Sequence, residues 1–345
     1  MDNQLPMVSV VIVNFNGRNS LIKCLESISK SIYSNYETII VDNGSQDGSL
    51  EEVMKCFGHD PHIKLVKCQT NVGPARARNL GVQVSVGHLV AFLDNDTITD
   101  PRWLVEVVKV FTSDDNAGAC QSKLLTMKDH RKLDCAGDYL TPFGFLLQRA
   151  EYGMIDRGQF ETIEEIFSAK SASLIVRRDV LYEVGGFDAD YFMFVEETDL
   201  CWRIWLRGFK ILYVPNSIVY HRFGLTKEIS PTLSSFLVKY HGPKNYLATI
   251  VKNAGFSLGL RMIPVHLSIW IVTMALLMFK GRAVEAAFVG RGLAWNVIHL
   301  STLQRKRLLV QRHIRKVPDS RILPRIMRPM TLNYLLKRAH ELSVW

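Results

Sequence analysis

The sequence predicts an α/β fold with a helical, membrane-associating C-terminal region, and three observations carry that prediction. Short β-branched runs alternate with segments of helical length and period over the first 120 residues. Each strand-like run ends in a cluster of small polar or acidic residues. After Gly224 the composition turns helical, apolar and basic. With 345 residues and 48% hydrophobic content, the chain can bury a full core as one large domain with an appendage or as two domains.

VSVVIVNF, YETIIVD, HIKLVKC and HLVAFLD have the β-branched character of strands in a buried parallel sheet. Strand one runs into Asn14, Asn16 and Gly17. Strand two runs into Asp42, Asn43, Gly44 and Ser45, and strand four into Asp94, Asn95 and Asp96. Ligands of open α/β sheets bind beyond the carboxyl ends of strands, so these clusters face one crevice, with Asn14 at its edge. Neither GxGxxG nor GxxxxGK[ST] follows a strand, which argues against a dinucleotide fingerprint or a P-loop. Asn43, Ser45 and Asp47 suffice for an Asx turn and a helix cap. Asp94 and Asp96 form a D-x-D pair at a strand end, a spacing that lets both carboxylates converge on a hard divalent cation. Asp100, before Pro101, reads as the cap of the next helix.

A second acidic cluster is GGFDADYFMFVEETDLCWR. Glu196 and Glu197 begin a helix, EETDLCWRIWLRG, where the macrodipole favours adjacent acids. Gly185 and Gly186 let the backbone turn closely. The strand-like NSIVYH ends in His221.

VSVVIVNFNG, YETIIVDNGSQDGS, NVGPARARNLGV and VAFLDND resemble, in order and spacing, the nucleotide-binding half of family 2 glycosyltransferases of the GT-A fold. The resemblance continues through LDCAGDYL and SLIVRRDVLYEVGGFDADYFMFVEETDLCWRIWLRGFKILYVPNSIVYH, covering about residues 7–222, and is marked for the rhamnosyltransferase-like members that build cell-surface polysaccharides. It implies inverting transfer from a nucleotide-diphosphate sugar with Mn2+ or Mg2+. By position, Asp42 contacts the base, Arg78 and Asn79 lie near the nucleotide beside Asn14, Asp94 is near the ribose or metal, and Asp96 is on the metal. His221 matches a metal-contacting histidine, a mixed Asp/His set that suits Mn2+ better than Mg2+. Glu196 matches the general base, with Glu197 the alternative. Gly186 lies beneath the acceptor sugar, and Asp199 holds the helix or an acceptor hydroxyl. An ionised Asp42 accepts only, so it favours the N3–H of uridine or thymidine donors. The continuation HRFGLT departs from the family, because Arg222 stands where a small, Ser-containing stretch is expected.

The implied organisation is a GT-A catalytic domain over residues 1–224, with a nucleotide-binding half (1–100) and an acceptor half (101–224), followed by a basic helical region over 225–345. Of the formal net charge of +9, the stretch Lys280 to Trp345 alone has 14 Lys and Arg against 3 acids. Residues 232–252 read as an amphipathic helix, and IPVHLSIWIVTMALLMF (263–279) is an apolar run with Pro264 and His266 in its first turn. Seventeen residues are short for a span, and a single crossing leaves the basic tail outside. A peripheral, monotopic or re-entrant helix at the cytoplasmic face, with basic neighbours such as QRKRLLVQRHIRK, fits better. A soluble helical bundle is the other reading, while nucleic-acid binding fails for want of aromatics among the charges. Truncation after Gly224 is expected to remove membrane affinity and spare nucleotide binding, provided the catalytic part folds. The six cysteines lack CxxC spacing and read as thiols of a reducing compartment. The polar Met1–Met7 stretch does not read as a signal peptide. A nucleotidyltransferase is the rival enzyme and a non-catalytic nucleotide-sugar-binding scaffold the rival class. Sugar, acceptor and linkage are not legible.

Overall fold

The computed structural model describes residues 5–222 and 231–329. The expected boundary at Gly224 and the last basic residues of the tail lie outside them. Strands β1 (Val8–Asn14), β2 (Tyr36–Asp42), β3 (Ile63–Lys67) and β4 (Leu89–Asp94) are the four expected runs. They pair in parallel in the order β4-β1-β2-β3. Their alternation feeds two faces. Val8, Val10 and Ile12 of β1 pack with helices α1 (Arg18–Ile28) and α4 (Trp103–Ser113), whereas Val11 packs with α3 (Pro74–Val84). Helix α2 (Ser49–Phe57) lies between β2 and β3 in the chain, and β3, at the sheet edge, is half-exposed.

The sheet is mixed rather than parallel, because the second half of the domain extends it. It adds β5 (Thr97–Thr99), β6 (Ala117–Thr126), β7 (Leu133–Cys135), β10 (Glu164–Glu165), β11 (Ser173–Arg177) and β12 (Lys210–His221), beside a hairpin of β8 (Asp138–Leu140) and β9 (Leu146–Gln148). Strand β11 lies antiparallel to both β4 and β6, and the full order is β10-β12-β6-β11-β4-β1-β2-β3. Helices α5 (Arg178–Val184) and α6 (Glu196–Arg207) pack on the α3 side. Asp100 accepts from the Arg102 N–H at 2.9 Å, a capping contact, but the regular helix starts at Trp103 rather than at Pro101.

The C-terminal region is helical: α7 (Pro231–Asn253), α8 (Phe256–Phe279), α9 (Ala283–Ile298), α10 (Leu300–Leu309), a π turn (Val310–Ile314) and α11 (Asp319–Ile326). Helix α8 starts seven residues before the expected run, so Pro264 lies inside it rather than at its entrance. One stripe of α8, through Met262, His266, Trp270 and Leu277, is buried, while Leu260, Ile271, Val272 and Phe279 are exposed.

This region is not a detachable tail. Val310, Ile314, Ile322 and Ile326 belong to the same hydrophobic core as Val11, Phe92 and Trp202. Part of the positive charge also faces inward. Arg307 donates to the carbonyls of Val251 and Ala254, and Arg315 to that of Asn253, neutralising the carboxyl end of α7. Lys306 pairs with Asp188 and Asp190 of the sheet domain. The helical region therefore shares its core with the sheet domain, and the basic surplus is only partly a surface for a partner.

Candidate functional site

Parallel register sets Asn14 opposite Asp42 and Val13 opposite Asp94, so the three polar strand ends meet. Asn14 and Asp42 are fully buried in a knot. Asn14 Nδ2 donates to Asp42 Oδ1 at 3.5 Å and Ser45 Oγ at 3.1 Å, and Asn14 Oδ1 accepts from Asn95 Nδ2 at 2.7 Å. The Ser45 N–H donates to Asp42 Oδ2 at 3.2 Å, so Asp42 makes the Asx turn and Asn43 instead reaches Asn71 and the Val72 N–H. Asp47 caps α2 through the Ser49 N–H. Neither Asn14 nor Asp42 presents surface to a nucleotide in this arrangement.

The D-x-D carboxylates are more open, with side-chain exposures of 31% for Asp94 and 13% for Asp96. Antiparallel pairing of β12 with β5 sets His221 opposite Thr97, and the Arg222 N–H donates to the Asp96 carbonyl at 3.0 Å. The ring of His221 is thereby carried to the D-x-D turn, Nε2 lying 3.5 Å from Asp96 Oδ1. One ligand atom each of Asp94, Asp96 and His221 lies within 4.8 Å of the others. Nδ1 of His221 donates at 2.5 Å to Oδ2 of Asp134, the buried middle residue of β7. Burial disfavours the imidazolium, but the bonds to Asp134 and Asp96 outweigh it and push His221 up to about 10. Nε2 must release that proton before it can ligate. Two carboxylates and an imidazole, the ring held by an outer carboxylate, fit a divalent cation of the Mn2+ type.

Arg78, 5% exposed, joins this trio to the second acidic cluster. Its guanidinium donates to Asp94 Oδ1 at 3.1 Å, Glu196 Oε1 at 2.7 Å and Ser171 Oγ at 2.8 Å, and lies over the Phe187 ring. Glu196 is buried and held by that bond; its Oε2 finds no hydrogen-bond partner among the described residues. Glu197 is half-buried, and its Oε2 is likewise unpartnered among them. Burial, then the charge of Glu196, pushes the Glu197 carboxyl up to about 8, against the pull of Lys170 and Arg78. Lys170 in turn pairs with the fully buried Asp138 at 3.2 Å.

Three other candidates are engaged within the fold. Asn79 spends both ends of its amide on the Phe187 backbone, Nδ2 to the carbonyl at 2.7 Å and Oδ1 from the N–H at 2.9 Å. Gly186 turns against that amide at φ +64°, where a Cβ would sit 2.8 Å from Asn79 Oδ1. Asp199 is fully buried and bonded by Arg203, Lys252 and Asn253, contacts that tie the helix to its neighbours. Asp134, Lys170 and Ser171 were not legible as site residues, since their partners are 87, 32 and 93 positions away.

The chain matches the family model described as Glycosyl transferase family 2 over residues 9–155 and that of Glycosyl transferase family group 2 over residues 89–284. It is 29% identical over 192 residues to the glycosyltransferase AglE of Haloferax volcanii, covering 54% of this chain and 58% of that protein. It is 25% identical over 224 residues to the glucosyl-dolichyl phosphate glucuronosyltransferase of the same organism, covering 62% and 69% of the two chains. The chain thus spans little more than half the length of AglE. Among solved structures, the mannosyltransferase PcManGT of Pyrobaculum calidifontis in complex with GDP-Man and Mn2+ superposes with a TM-score of 0.55 at 17% identity, covering 90% of this chain and 87% of that one. At that identity the likeness is one of fold.

Proposed function

Because the chain belongs to the family 2 glycosyl transferases, we propose that it moves a sugar from a nucleotide-diphosphate sugar to a glycan or lipid-linked acceptor by an inverting, metal-dependent displacement. The observation that carries this reading is the junction made by Arg78, which holds the Asp94–Asp96–His221 trio against Glu196 and Glu197. Asp94, Asp96 and His221 would hold the cation. When bound, Mn2+ or Mg2+ neutralises charge on the leaving diphosphate. The acceptor oxygen attacks the anomeric carbon, the bond from that carbon to the diphosphate oxygen breaks, and a carboxylate takes the hydroxyl proton.

We assign that proton to Glu197 ahead of Glu196. Each has one oxygen without a partner among the described residues, but Glu196 is pinned to Arg78 through the other, whereas the Glu197 carboxyl is raised toward neutrality, the range in which a general base works best. The donor base follows from Asp42: a uridine or thymidine preference requires the Asn14–Asp42–Ser45 knot to open toward N3–H. The nucleotidyltransferase reading lacks a basic, Gly-rich phosphate loop, since strand one runs into NFNGRNS.

The setting we propose is the cytoplasmic face of a membrane, in cell-surface polysaccharide synthesis. Among the described residues, α8 alone is long and apolar enough to cross a bilayer, and only 28% of its apolar window is buried. Its exposed Leu260, Ile271, Val272 and Phe279 lie in a region whose exposed cations include Arg261, Lys280, Arg291 and Arg305.

The test is a panel of UDP-, dTDP- and GDP-sugars, scored for Mn2+-dependent binding and for transfer or hydrolysis. Glu197→Gln is expected to keep donor affinity and lose transfer by about two to four orders of magnitude. In the wild type, activity rises with pH through about 8 as Glu197 deprotonates, and that limb disappears in the variant. If Glu196→Gln alone shows this profile, the base is Glu196. If a donor binds and is neither transferred nor hydrolysed, the chain is a binding scaffold.

A further inference from the structure

The backbone entering α6 is unusual. Phe192, Phe194 and Val195 have φ of +58°, +65° and +69°, and none is glycine. L-residues avoid this region, and a β-branched valine tolerates it least, so the surrounding structure must hold the turn in place. Val195 immediately precedes Glu196 and Glu197, so its conformation aims both carboxylates. The other end of the turn touches the helix that carries Arg78. The Phe192 carbonyl accepts from the Ala75 N–H at 3.3 Å, and the Phe192 ring fills the space that a Cβ on Gly73 would need.

What holds the turn comes from the C-terminal helices. Asn245 of α7 is fully buried, and its Nδ2 approaches three carbonyls of the turn: Tyr191 at 3.1 Å, Met193 at 2.8 Å and Phe194 at 2.7 Å. Two amide protons are shared among three acceptors, and the reverse amide orientation would set oxygen against oxygen. Lys244 donates to the Asp190 carbonyl. Lys252 pairs with Asp188 at 2.5 Å and with Asp199 at 3.0 Å, and Lys306 of α10 reaches Asp188 and Asp190. His241 stacks on Phe192 with ring centroids 5.6 Å apart.

We infer that Asn245 is a positioning residue for the transfer step: it locks the left-handed turn at 192–195 and thereby sets the direction of the Glu196 and Glu197 carboxylates, so that a helix outside the nucleotide-binding sheet completes the reacting geometry. This rests on the glycosyltransferase reading for its consequence in turnover, though not for its structural content. The donor side has its own supports, because Asp94, Asp96 and His221 are placed by the pairing of β4, β5 and β12, and its link to Glu196 runs through Arg78.

The experiment compares the full-length wild type with Asn245→Ala, Asn245→Asp and Asn245→Ala/Val195→Gly. Hydrogen exchange is the first readout and needs no activity: amides of 192–199 should exchange faster in Asn245→Ala than in the wild type, with those of β1 and β4 unchanged. Kinetics with the donor found above is the second. Asn245→Ala should keep Mn2+-dependent nucleotide affinity within about twofold and lose on the order of 10–100-fold in kcat, the scale of a 1 Å misplacement. Asn245→Asp, which sets carboxylate oxygens against the carbonyls, should lose more. Glycine at 195 adopts φ +69° without steric cost, so the double variant should regain part of the loss. Unchanged exchange at 192–199, nucleotide affinity falling in parallel with kcat, or no recovery in the double variant overturns the proposal. Faster exchange in a protein that turns over no sugar nucleotide upholds the lock and refutes the glycosyltransferase reading instead.

Discussion

His221 and Asp134 are separated by 87 positions and joined by a 2.5 Å hydrogen bond, and that bond decides which imidazole nitrogen faces Asp96. With Nδ1 committed to a carboxylate, Nε2 is the nitrogen available to a cation. Asp134→Asn retains an acceptor and loses the charge, so Mn2+ affinity should weaken by roughly 10–100-fold with the fold intact. Asp96→Asn, which removes a proposed ligand itself, should weaken it further. Titration calorimetry or the free-ion electron resonance signal checks both, and equal affinity in the wild type and Asp134→Asn refutes the role given to Asp134. At this scale the D-x-D pair and the paired glutamates were legible because each is local in sequence. Burial was not, and the structure encloses Asn14, Asp42 and Asp199 completely while Asn79 bonds the Phe187 backbone.

Lys252 shows how elements are tied together. It is 1 of several cations that α7 and α10 send into the sheet domain, with a side-chain exposure of 2%, and it faces Asp199 at 0% and Asp188 at 11%. Burial alone would raise Asp188, but Lys252 and Lys306 hold its carboxyl well below the usual range. Lys252→Met leaves buried carboxylates short of a partner and should cost about 3–5 kcal/mol, read from urea unfolding at pH 7. Because the folded-state value of Asp188 is depressed, its contribution is present above its unfolded value of about 4 and is lost as pH falls. The variant's deficit should therefore shrink on acidification; a deficit independent of pH would assign the loss to packing. The helix 232–252 was legible from its period, but its packing against α6 was not, since an amphipathic stripe does not name its partner.

For the whole molecule, the unpartnered face of α8 and the exposed cations near it should act together on a lipid surface. Co-sedimentation with anionic liposomes at low salt is expected for the full chain, with little release at high salt because apolar burial persists. Ile271→Glu/Phe279→Glu, both at exposed positions, should abolish it without unfolding the protein. If the full chain stays in the supernatant at low salt, the exposed face of α8 does not bind lipid. Truncation after Gly224 is no substitute for this test. It removes Val310, Ile314, Ile322 and Ile326 from the main core and Lys252 from Asp199, so an insoluble product is expected.

The sequence by itself determined the α/β class, the four parallel strands, the meeting of their polar ends and the two acidic clusters. All of these are set within a few residues by strand period, turn chemistry and side-chain type. Only the tertiary structure decided which carboxylates remain accessible, that β12 brings His221 to Asp96, that Arg78 bridges the two clusters, and that the basic helices are partly internal. Those outcomes depend on which distant surfaces are buried together. Desolvation and charge pairing, which give a buried group its role, act through space and leave no local trace in the order of residues.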